Sequence, residues 1–465
     1  MKEKLQRSKK LFSEIFNSEG VDFTEIPLKK AILFLSIPMV LEMIMESTFA
    51  IVDIFFVAKL GADAIATVGI TESLMTLLYS IAIGLSIGTT ALVSRRIGEK
   101  RPKEAAHYGW QAIIVGSFIS IIIGVLGAMY ASDLLSVMGA SDQLIEKHGG
   151  FTTIMFGGNI VIILLFVNNA IFRGAGDALI SMKVLFLANA LNMILDPIFI
   201  FGLGPIPAFG VEGAAIATTT GRATAVIWQF WILFGGSARV HFVKKELHIK
   251  FKDMWHLLDL SIGGMFQMLI PHISWVAMVR IVSHFGSEVV AGYTLAIRVL
   301  IFSLLPSVGI SNAASTLVGQ NLGADHPQRA ERTIWVTAIV NIVVLGFIAL
   351  FFMFIPTLFI EAFTTDSKVI EYGANCLRII GYGMIAYGLG MVLIQAFNGA
   401  GDTRTPTYIN LFAFWAMEIP LAYLFAINLD FGPNGVYYSI LISESTMSLI
   451  VFYFFRKGYW KSFKA

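Results

Sequence analysis

Charged residues and cysteine are scarce in this 465-residue chain. Asp, Glu, Lys and Arg together make up 14% of the residues, whereas about 25% is usual for a soluble domain. The single cysteine, Cys376, excludes an internal disulfide. The sequence also contains no HExxH metalloprotease signature and no acidic pair in an intramembrane-protease motif. We therefore do not expect an enzyme.

Apolar residues, in contrast, make up 56% of the chain before its 42 glycines are counted. A soluble fold could not bury that much apolar surface in one core, whereas a bilayer accepts it on the outside. Lipid cannot satisfy free backbone groups, so every spanning segment must be helical. Twelve stretches have the roughly 20 residues that are needed to cross a hydrocarbon core. They are 29–58, 66–94, 104–131, 146–172, 178–203, 211–235, 254–284, 291–320, 331–360, 370–398, 406–428 and 434–455.

Basic residues are distributed unevenly between the connections of these spans. The segment before the first span, the even-numbered connections and the tail hold 26 Lys and Arg. The odd-numbered connections hold only three, Lys59, Lys147 and Lys368. Such an asymmetry marks the cytoplasmic side, so we expect both termini there, in a multi-pass protein of the cell (inner) membrane. Because the basic groups alternate with spans, they do not indicate nucleic-acid binding.

A short phrase recurs half a chain apart. FRGAGDALIS begins at Phe172 and FNGAGDTRTP at Phe397, a spacing of 225 residues, and Gly98 matches Gly323 at the same spacing. Six spans are an even number, so the halves are parallel repeats, as in transporters that rock two bundles around a central site. The predicted organisation is a cytoplasmic N-terminal segment (1–28), an N-terminal six-helix lobe (29–237), a cytoplasmic linker (238–253), a C-terminal six-helix lobe (254–455) and a cytoplasmic tail (456–465).

These features resemble the multidrug and toxic compound extrusion (MATE) transporters. The resemblance covers about residues 27–458. It rests on the parallel halves, on LGADAIATVG after the first span, on the paired RRIGEKRPKEA and QNLGADHPQRA segments, and on FRGAGD followed by NMILDP. It implies an all-α polytopic fold of twelve transmembrane helices, and antiport of H+ or Na+ against amphipathic, often cationic, drugs. No cofactor is implied. Flippases for lipid-linked precursors share the wider superfamily and would be expected to have a strongly basic cavity.

Seven carboxylates lie in or near the predicted spans, where a charged side chain costs about 2.5–3.5 kcal/mol to insert. They are Glu42, Glu46, Asp53, Glu72, Asp196, Glu418 and Glu444. Asp196 follows Asn192 by four residues, which places both on one helix face. Pro197 cannot donate a helical hydrogen bond, so it loosens that turn. Hard cations prefer oxygen ligands of this kind, so this kink is a candidate cation site; a structural Asp is the alternative.

The resemblance implies further members of that site. In the branch of the family with its cation site in the N-terminal lobe, an Asp precedes the V-A-x-L-G turn, and Asp53 stands there. Asn192 and Asp196 match the Asn-x-x-x-Asp of span five, and Asn169 matches an Asn four residues before a basic residue in span four. Thr218, or one of the two threonines after it, matches a span-six Thr. Sodium, if it is the coupling ion, would be held by Asp53, Asn192 and Asp196.

The second half departs from this pattern. At the spacing of 225, Asp53 pairs with Met278. Asp196 pairs with Leu421 at that spacing, or with Glu418 at 222. We therefore expect the cation chemistry in the N-terminal lobe, with Glu418 as the alternative. Two carboxylates in one dry pocket titrate as a unit, which makes a proton a natural coupling ion, and the same oxygens suit sodium.

A further set of polar and aromatic residues is predicted to line a substrate cavity, because aromatic faces bind organic cations. The set is Glu46, Gln267, His272, Trp275 and Glu418. The expected partners are a small, often cationic organic substrate and the lipid bilayer, and one chain is expected to work as a monomer. A membrane-embedded enzyme or a channel would be the competing class, but the duplicated halves favour transport.

Overall fold

The computed structural model describes residue 14, residues 21–243, residue 245 and residues 247–463 of the chain. Within these residues, nine helices are long and apolar enough to cross a membrane, and two further helices that meet at a bend of 59° form a tenth span. Helices at Leu28–Val57 and Val211–Gly235 take the places of the first and sixth spans. The prediction of twelve membrane helices in two sets of six is confirmed.

We number the spans α1 to α12. The N-terminal lobe comprises α1 (Leu28–Val57), α2 (Ala62–Gly98), α3 (Pro102–Met129), α4 (Asp142–Ala175), α5 (Ala178–Phe201) and α6 (Val211–Gly235). The C-terminal lobe comprises α7 (Phe251–Val282), α8 (Ser287–Gly323), α9 (Pro327–Phe354), α10 (Ser367–Gly381 with Met384–Ala400), α11 (Arg404–Asn428) and α12 (Pro433–Lys457). Short helices at Ala131–Val137 and Pro356–Glu361 occupy equivalent connections of the two halves.

The structure corrects some predicted bounds. The ninth span, predicted over 331–360, ends at Phe354, because Pro356 begins a separate short helix. Helices α2 and α8 have 37 residues each, and both extend beyond the predicted 66–94 and 291–320. Such long helices project past the bilayer, since 20 residues already span about 30 Å.

The two lobes pack backbone against backbone at the end of the molecule where α2 and α8 finish. A Cβ atom built on Gly98 would collide with the carbonyl oxygen of Gln320, and one built on Gly323 would collide with that of Arg95. The two glycines are equivalent positions of the repeat, so each lobe presents the same bare backbone to the other. Nearer the opposite end of α2, a Cβ built on Gly69 would have nothing within 4 Å. We call the end at Gly98 and Gly323 the closed end.

The buried apolar side chains form separate clusters in the described part of the chain. One cluster fills the N-terminal lobe and also receives the start of α7, and two fill the C-terminal lobe. A smaller cluster lies at the closed end and draws from both lobes: it contains Phe23 and the start of α1 together with Ala178, Ala313 and Leu317. The chain that precedes α1 is therefore part of the contact between the lobes.

Residues 84–88 of α2 read GLSIG, which matches the GxSxG letters of hydrolases. That motif requires a serine on a strand-to-helix turn, whereas here it lies inside a helix. Ser86 Oγ donates a hydrogen bond to the carbonyl of Phe166 on α4 at 3.1 Å, and a Cβ on Gly88 would lie 2.6 Å from Ser261 Oγ of α7. The stretch is a helix-packing element and supplies no nucleophile.

Two C-terminal helices are irregular in ways that the apolar pattern did not predict. The span predicted over 370–398 bends by 59° between its two helices. The span predicted over 406–428 is π-helical over Leu411–Glu418 and again over Leu424–Asn428. Insertions of this kind are frequent at functional sites, and the first of them ends at Glu418.

Candidate cation site

Three of the predicted site residues meet between α5 and α6. The amide nitrogen of Asn192 donates to Asp196 Oδ1 at 3.2 Å and to Thr218 Oγ1 at 3.1 Å. All three side chains are buried, and Asp196 has no exposed surface. The structure thus joins Asn192, Asp196 and Thr218 in one cluster.

The local sequence explains why α5 and α6 approach so closely at this level. A Cβ built on Gly221 of α6 would lie 2.9 Å from the carbonyl oxygen of Ala188 and 3.5 Å from the backbone nitrogen of Asn192. Thr218 precedes this glycine by three residues, so both lie on the same helix face. The small residue at position 221 therefore brings the Thr218 hydroxyl within reach of Asn192.

Asp53 of α1 is near enough for its carboxylate to interact electrostatically with that of Asp196. We call Asp53, Asn192, Asp196 and Thr218 the oxygen cluster. Among the described residues, Asp53 Oδ1, Asn192 Oδ1 and Asp196 Oδ2 are buried and have no hydrogen-bond partner. A buried acceptor without a partner costs about 1–3 kcal/mol. The cluster therefore fits a proton or a hard cation such as Na+, which would satisfy these oxygens.

Arg222 is a charged residue of this region that the sequence reasoning missed. It is 7% exposed and lies one helical turn from Thr218 on α6. Its Nη1 donates to the Tyr79 hydroxyl at 3.2 Å, its Nη2 lies 3.8 Å from Glu46 Oε1, and its guanidinium lies over the Phe49 ring at 5.2 Å. A lone arginine in the middle of an apolar span is itself a functional signal, and that signal was available in the sequence.

Asn169 lies in a second polar cluster of the N-terminal lobe. Its side-chain nitrogen donates to Glu42 Oε1 at 3.4 Å, and its oxygen accepts from Gln229 at 2.7 Å. Arg173 Nη1 also donates to Glu42 Oε1, at 3.2 Å. These partners differ from those of the oxygen cluster, so a cation-binding role for Asn169 stays a prediction.

The residues predicted to line a substrate cavity occupy different environments. Gln267 is 3% exposed, and its amide nitrogen donates to Asn398 Oδ1 and to the Thr403 carbonyl at 3.0 Å each. These contacts connect α7 to the second GAGD turn, at residues 399–402, so Gln267 is better explained as a structural residue. His272 and Trp275 are exposed on α7, and Glu46 pairs with Arg222 as described above.

Glu418 lies buried at the end of the π-helical stretch of α11. It is 4% exposed, its Oε1 accepts from Ser274 at 3.4 Å, and its Oε2 has no partner among the described residues. Glu444 of α12 interacts with it electrostatically. The C-terminal lobe thus holds a second pair of interacting carboxylates, and its buried member, Glu418, stands at the position that matches Asp196 with a spacing of 222.

Two parallel lobes of six membrane helices, with ionisable oxygens buried inside each lobe, define a multi-pass membrane transporter. A model of the MatE family matches residues 38–198 and again residues 265–424. The chain therefore belongs to the MatE family of multidrug efflux transporters, and it is not an enzyme.

Individual relatives are distant but match over nearly the whole chain. The probable multidrug resistance protein YoeA of Bacillus subtilis is 24% identical over 433 residues, which cover 92% of this chain and 93% of the relative. An FAD transporter of Shewanella oneidensis is 25% identical over 437 residues, which cover 92% and 94%. A solved structure of a multidrug resistance MATE family transporter in an outward-facing conformation superposes with a TM-score of 0.89 at 24% identity, over 96% of this chain and 99% of that one.

Proposed function

We propose that this chain is a secondary active antiporter that exports amphipathic, often cationic, organic compounds in exchange for H+ or Na+, by alternating access of its two lobes. The observation that carries the proposal is the oxygen cluster, in which two carboxylates interact and three buried oxygens have no hydrogen-bond partner among the described residues. One chain contains both lobes, so we expect a monomer to complete the cycle.

The position of Asp53 explains how binding of a cation could move the lobes. Asp53 belongs to α1, which contributes to the oxygen cluster and also packs on α8 of the other lobe. A Cβ on Gly309 of α8 would lie 2.8 Å from the Met39 carbonyl of α1. A ligand shifts a conformational equilibrium only through its different affinity for the two states. Repacking of α1 after a change of charge at Asp53 would provide that difference.

Transport by purified protein in proteoliposomes tests the proposal. A pH gradient and a sodium gradient are imposed separately, and uptake of a fluorescent organic cation is followed in the direction that corresponds to export. We expect one of the two gradients to drive uptake at a rate above that of protein-free liposomes. If neither gradient drives uptake of any of several organic cations, coupled export of this substrate class is wrong.

A second substrate class is favoured by Arg222. This buried arginine lies beside Tyr79 and over Phe49, and arginine with aromatic rings suits a ligand that carries phosphates and a planar ring. One relative is an FAD transporter. The same liposomes should therefore be tested with FAD. Gradient-driven movement of FAD that exceeds that of the organic cations would assign the chain to anionic, ring-bearing substrates instead.

Glu418 is the candidate for coupling in the C-terminal lobe. Its buried Oε2 has no hydrogen-bond partner among the described residues, which is also true of oxygens of Asp53 and Asp196. If Asp53→Asn and Asp196→Asn both keep gradient-driven transport, then loss of transport in Glu418→Gln would locate coupling there.

A further inference from the structure

Residues 21–27, which precede α1, cross the closed end between the two lobes, and we call them the strap. Phe23 is its anchor, with 1% of its surface exposed. Its ring belongs to one buried apolar cluster with Ala178 of the N-terminal lobe and with Ala313 and Leu317 of the C-terminal lobe. The GAGD turn of the N-terminal lobe leaves space for this ring, because a Cβ on Gly176 would lie 2.7 Å from it. Both lobes therefore contribute to the buried cluster that contains Phe23.

The N-terminal lobe and the linker that follows α6 hold the strap through basic side chains. Arg239 Nη1 donates to the Val21 carbonyl at 3.1 Å, and Lys100 Nζ donates to Glu25 Oε1 at 3.0 Å. Lys100 Nζ also lies 3.9 Å from Asp22 Oδ2. Partial burial acts to raise the pKa of Asp22, but hydrogen bonds from Thr24 and the nearby positive charges hold it below its ordinary value. Asp22 therefore carries its charge at neutral pH.

The C-terminal lobe holds the strap through one arginine at the start of α9. Arg329 Nη2 donates to the Phe23 carbonyl at 3.0 Å and to the Ile26 carbonyl at 2.5 Å. Hydrogen bonds from a charged donor are stronger than neutral ones. Close by, Gln320 of α8 donates to the Gly174 carbonyl at 2.9 Å, so the lobes are also joined directly beneath the strap.

We propose that the strap is a latch, which stabilises the conformation closed at this end and leaves Arg329 when the lobes part. The attachments on the two sides differ: Lys100 belongs to the N-terminal lobe and Arg239 to the linker that follows α6 and bonds to Asp177 of that lobe, whereas Arg329 belongs to the C-terminal lobe. When the closed end opens, these attachments must move apart, and the seven residues of the strap cannot keep all of them. The inference rests on the alternating access proposed above, but it does not depend on which cation drives the cycle.

The latch can be tested in the full-length chain with a single reporter cysteine. Cys376→Ser removes the native thiol, and Ser94→Cys places a thiol on α2 where it is buried at the lobe contact. Alkylation of this thiol by a water-soluble maleimide then reports opening of the closed end. Phe23→Ala and Arg329→Gln should each raise the alkylation rate by about tenfold, because lost contacts to one state shift a two-state equilibrium in favour of the other.

Phe242→Ala is the matched control. Phe242 is also buried, at 4% exposure, and also lies in a segment between spans, but the rings that it contacts, Trp110 and Phe234, both belong to the N-terminal lobe. The Phe242→Ala variant should have a lower melting temperature but an unchanged alkylation rate. If Phe23→Ala does not yield folded protein, Arg329→Gln carries the test, since it removes only hydrogen bonds to the strap.

The outcomes separate the latch from the transport cycle. Equal alkylation rates in Phe23→Ala, Arg329→Gln and Phe242→Ala would overturn the latch. If, in that case, the reporter in the otherwise unchanged chain becomes reactive when substrate or cation is added, alternating access stands without the latch. If the reporter stays unreactive in every variant and under every gradient, the latch and the alternating access proposed above both fail.

Discussion

At the scale of single residues, the carboxylate of Asp53 carries the proposed coupling. Asp53→Asn keeps the shape of the side chain and removes its titration and its charge. We expect this variant to reach the membrane and to lose gradient-driven export, because a change of charge at Asp53 is the event that links the cation to α1. Transport assays in proteoliposomes check this expectation.

Asp63→Asn is the control for that substitution. Asp63 is an exposed carboxylate in the first turn of α2, so it shares the chemistry and the lobe but not the oxygen cluster. Its variant should transport as the unchanged chain does. If Asp53→Asn exports as fast as Asp63→Asn, then Asp53 is not part of the coupling site.

The ion pair of Glu42 and Arg173 has a structural role that can be separated from transport. The side chains of both residues are largely buried, at 3% and 12% exposure. Arg173→Met would leave the Glu42 charge without its main partner, which costs about 3–5 kcal/mol in a buried pair. We expect a clear fall in the melting temperature of the purified protein. The double variant Arg173→Met with Glu42→Gln should regain much of the lost melting temperature. A double variant that is no more stable than Arg173→Met alone would contradict this explanation.

At the scale of helices, the glycines of the closed end determine how tightly the lobes meet. Gly98→Ala would put a methyl group onto the Gln320 carbonyl, and Gly323→Ala would do the same at Arg95. We expect either change to open the closed end and raise alkylation of the Ser94→Cys reporter. Gly69→Ala, in the open surroundings of the same helix α2, is the control. If all three variants react alike, close backbone packing does not hold this end together.

Helix periodicity predicted part of the site and missed the rest for identifiable reasons. The four-residue spacing of Asn192 and Asp196 was enough to place them together, because both lie on one continuous helix. Contacts between helices depend on packing, which periodicity does not encode. Thr218 therefore came only from the family resemblance, and Asn169 lies among other partners than expected. Arg222 is a single charge in the middle of an apolar stretch, and the sequence reasoning did not consider it.

The irregularities of α10 and α11 could not be predicted from the pattern of apolar residues either. A bend inside α10 and π-helical turns inside α11 leave the composition of a span unchanged, so hydropathy does not reveal them. The repeat was more informative than hydropathy, since the spacing of 225 correctly matched Gly98 with Gly323. Small residues at equivalent positions are required where two backbones meet, and that requirement is visible in the sequence.

At the scale of the whole molecule, the distribution of basic residues predicts its orientation. The connections and termini on one side hold 26 Lys and Arg, and those on the other hold three. We therefore expect both termini, the strap and the closed end to face the cytoplasm. Reporter fusions at each terminus, or labelling with an impermeant reagent in whole cells, check this. A terminus that is reached from outside would reverse the topology and the assignment of the closed end.

The central claim is that Asp53 and Asp196 form one cation site, and binding to purified protein tests it most directly. Binding of sodium, and release or uptake of protons, is measured for the unchanged chain, for Asp53→Asn, for Asp196→Asn and for the double variant. Residues that act as one unit have effects that do not add, so we expect each single variant to lose the binding and the double variant to be little worse. Undiminished binding in Asp196→Asn, or losses that add independently in the double variant, would contradict the account.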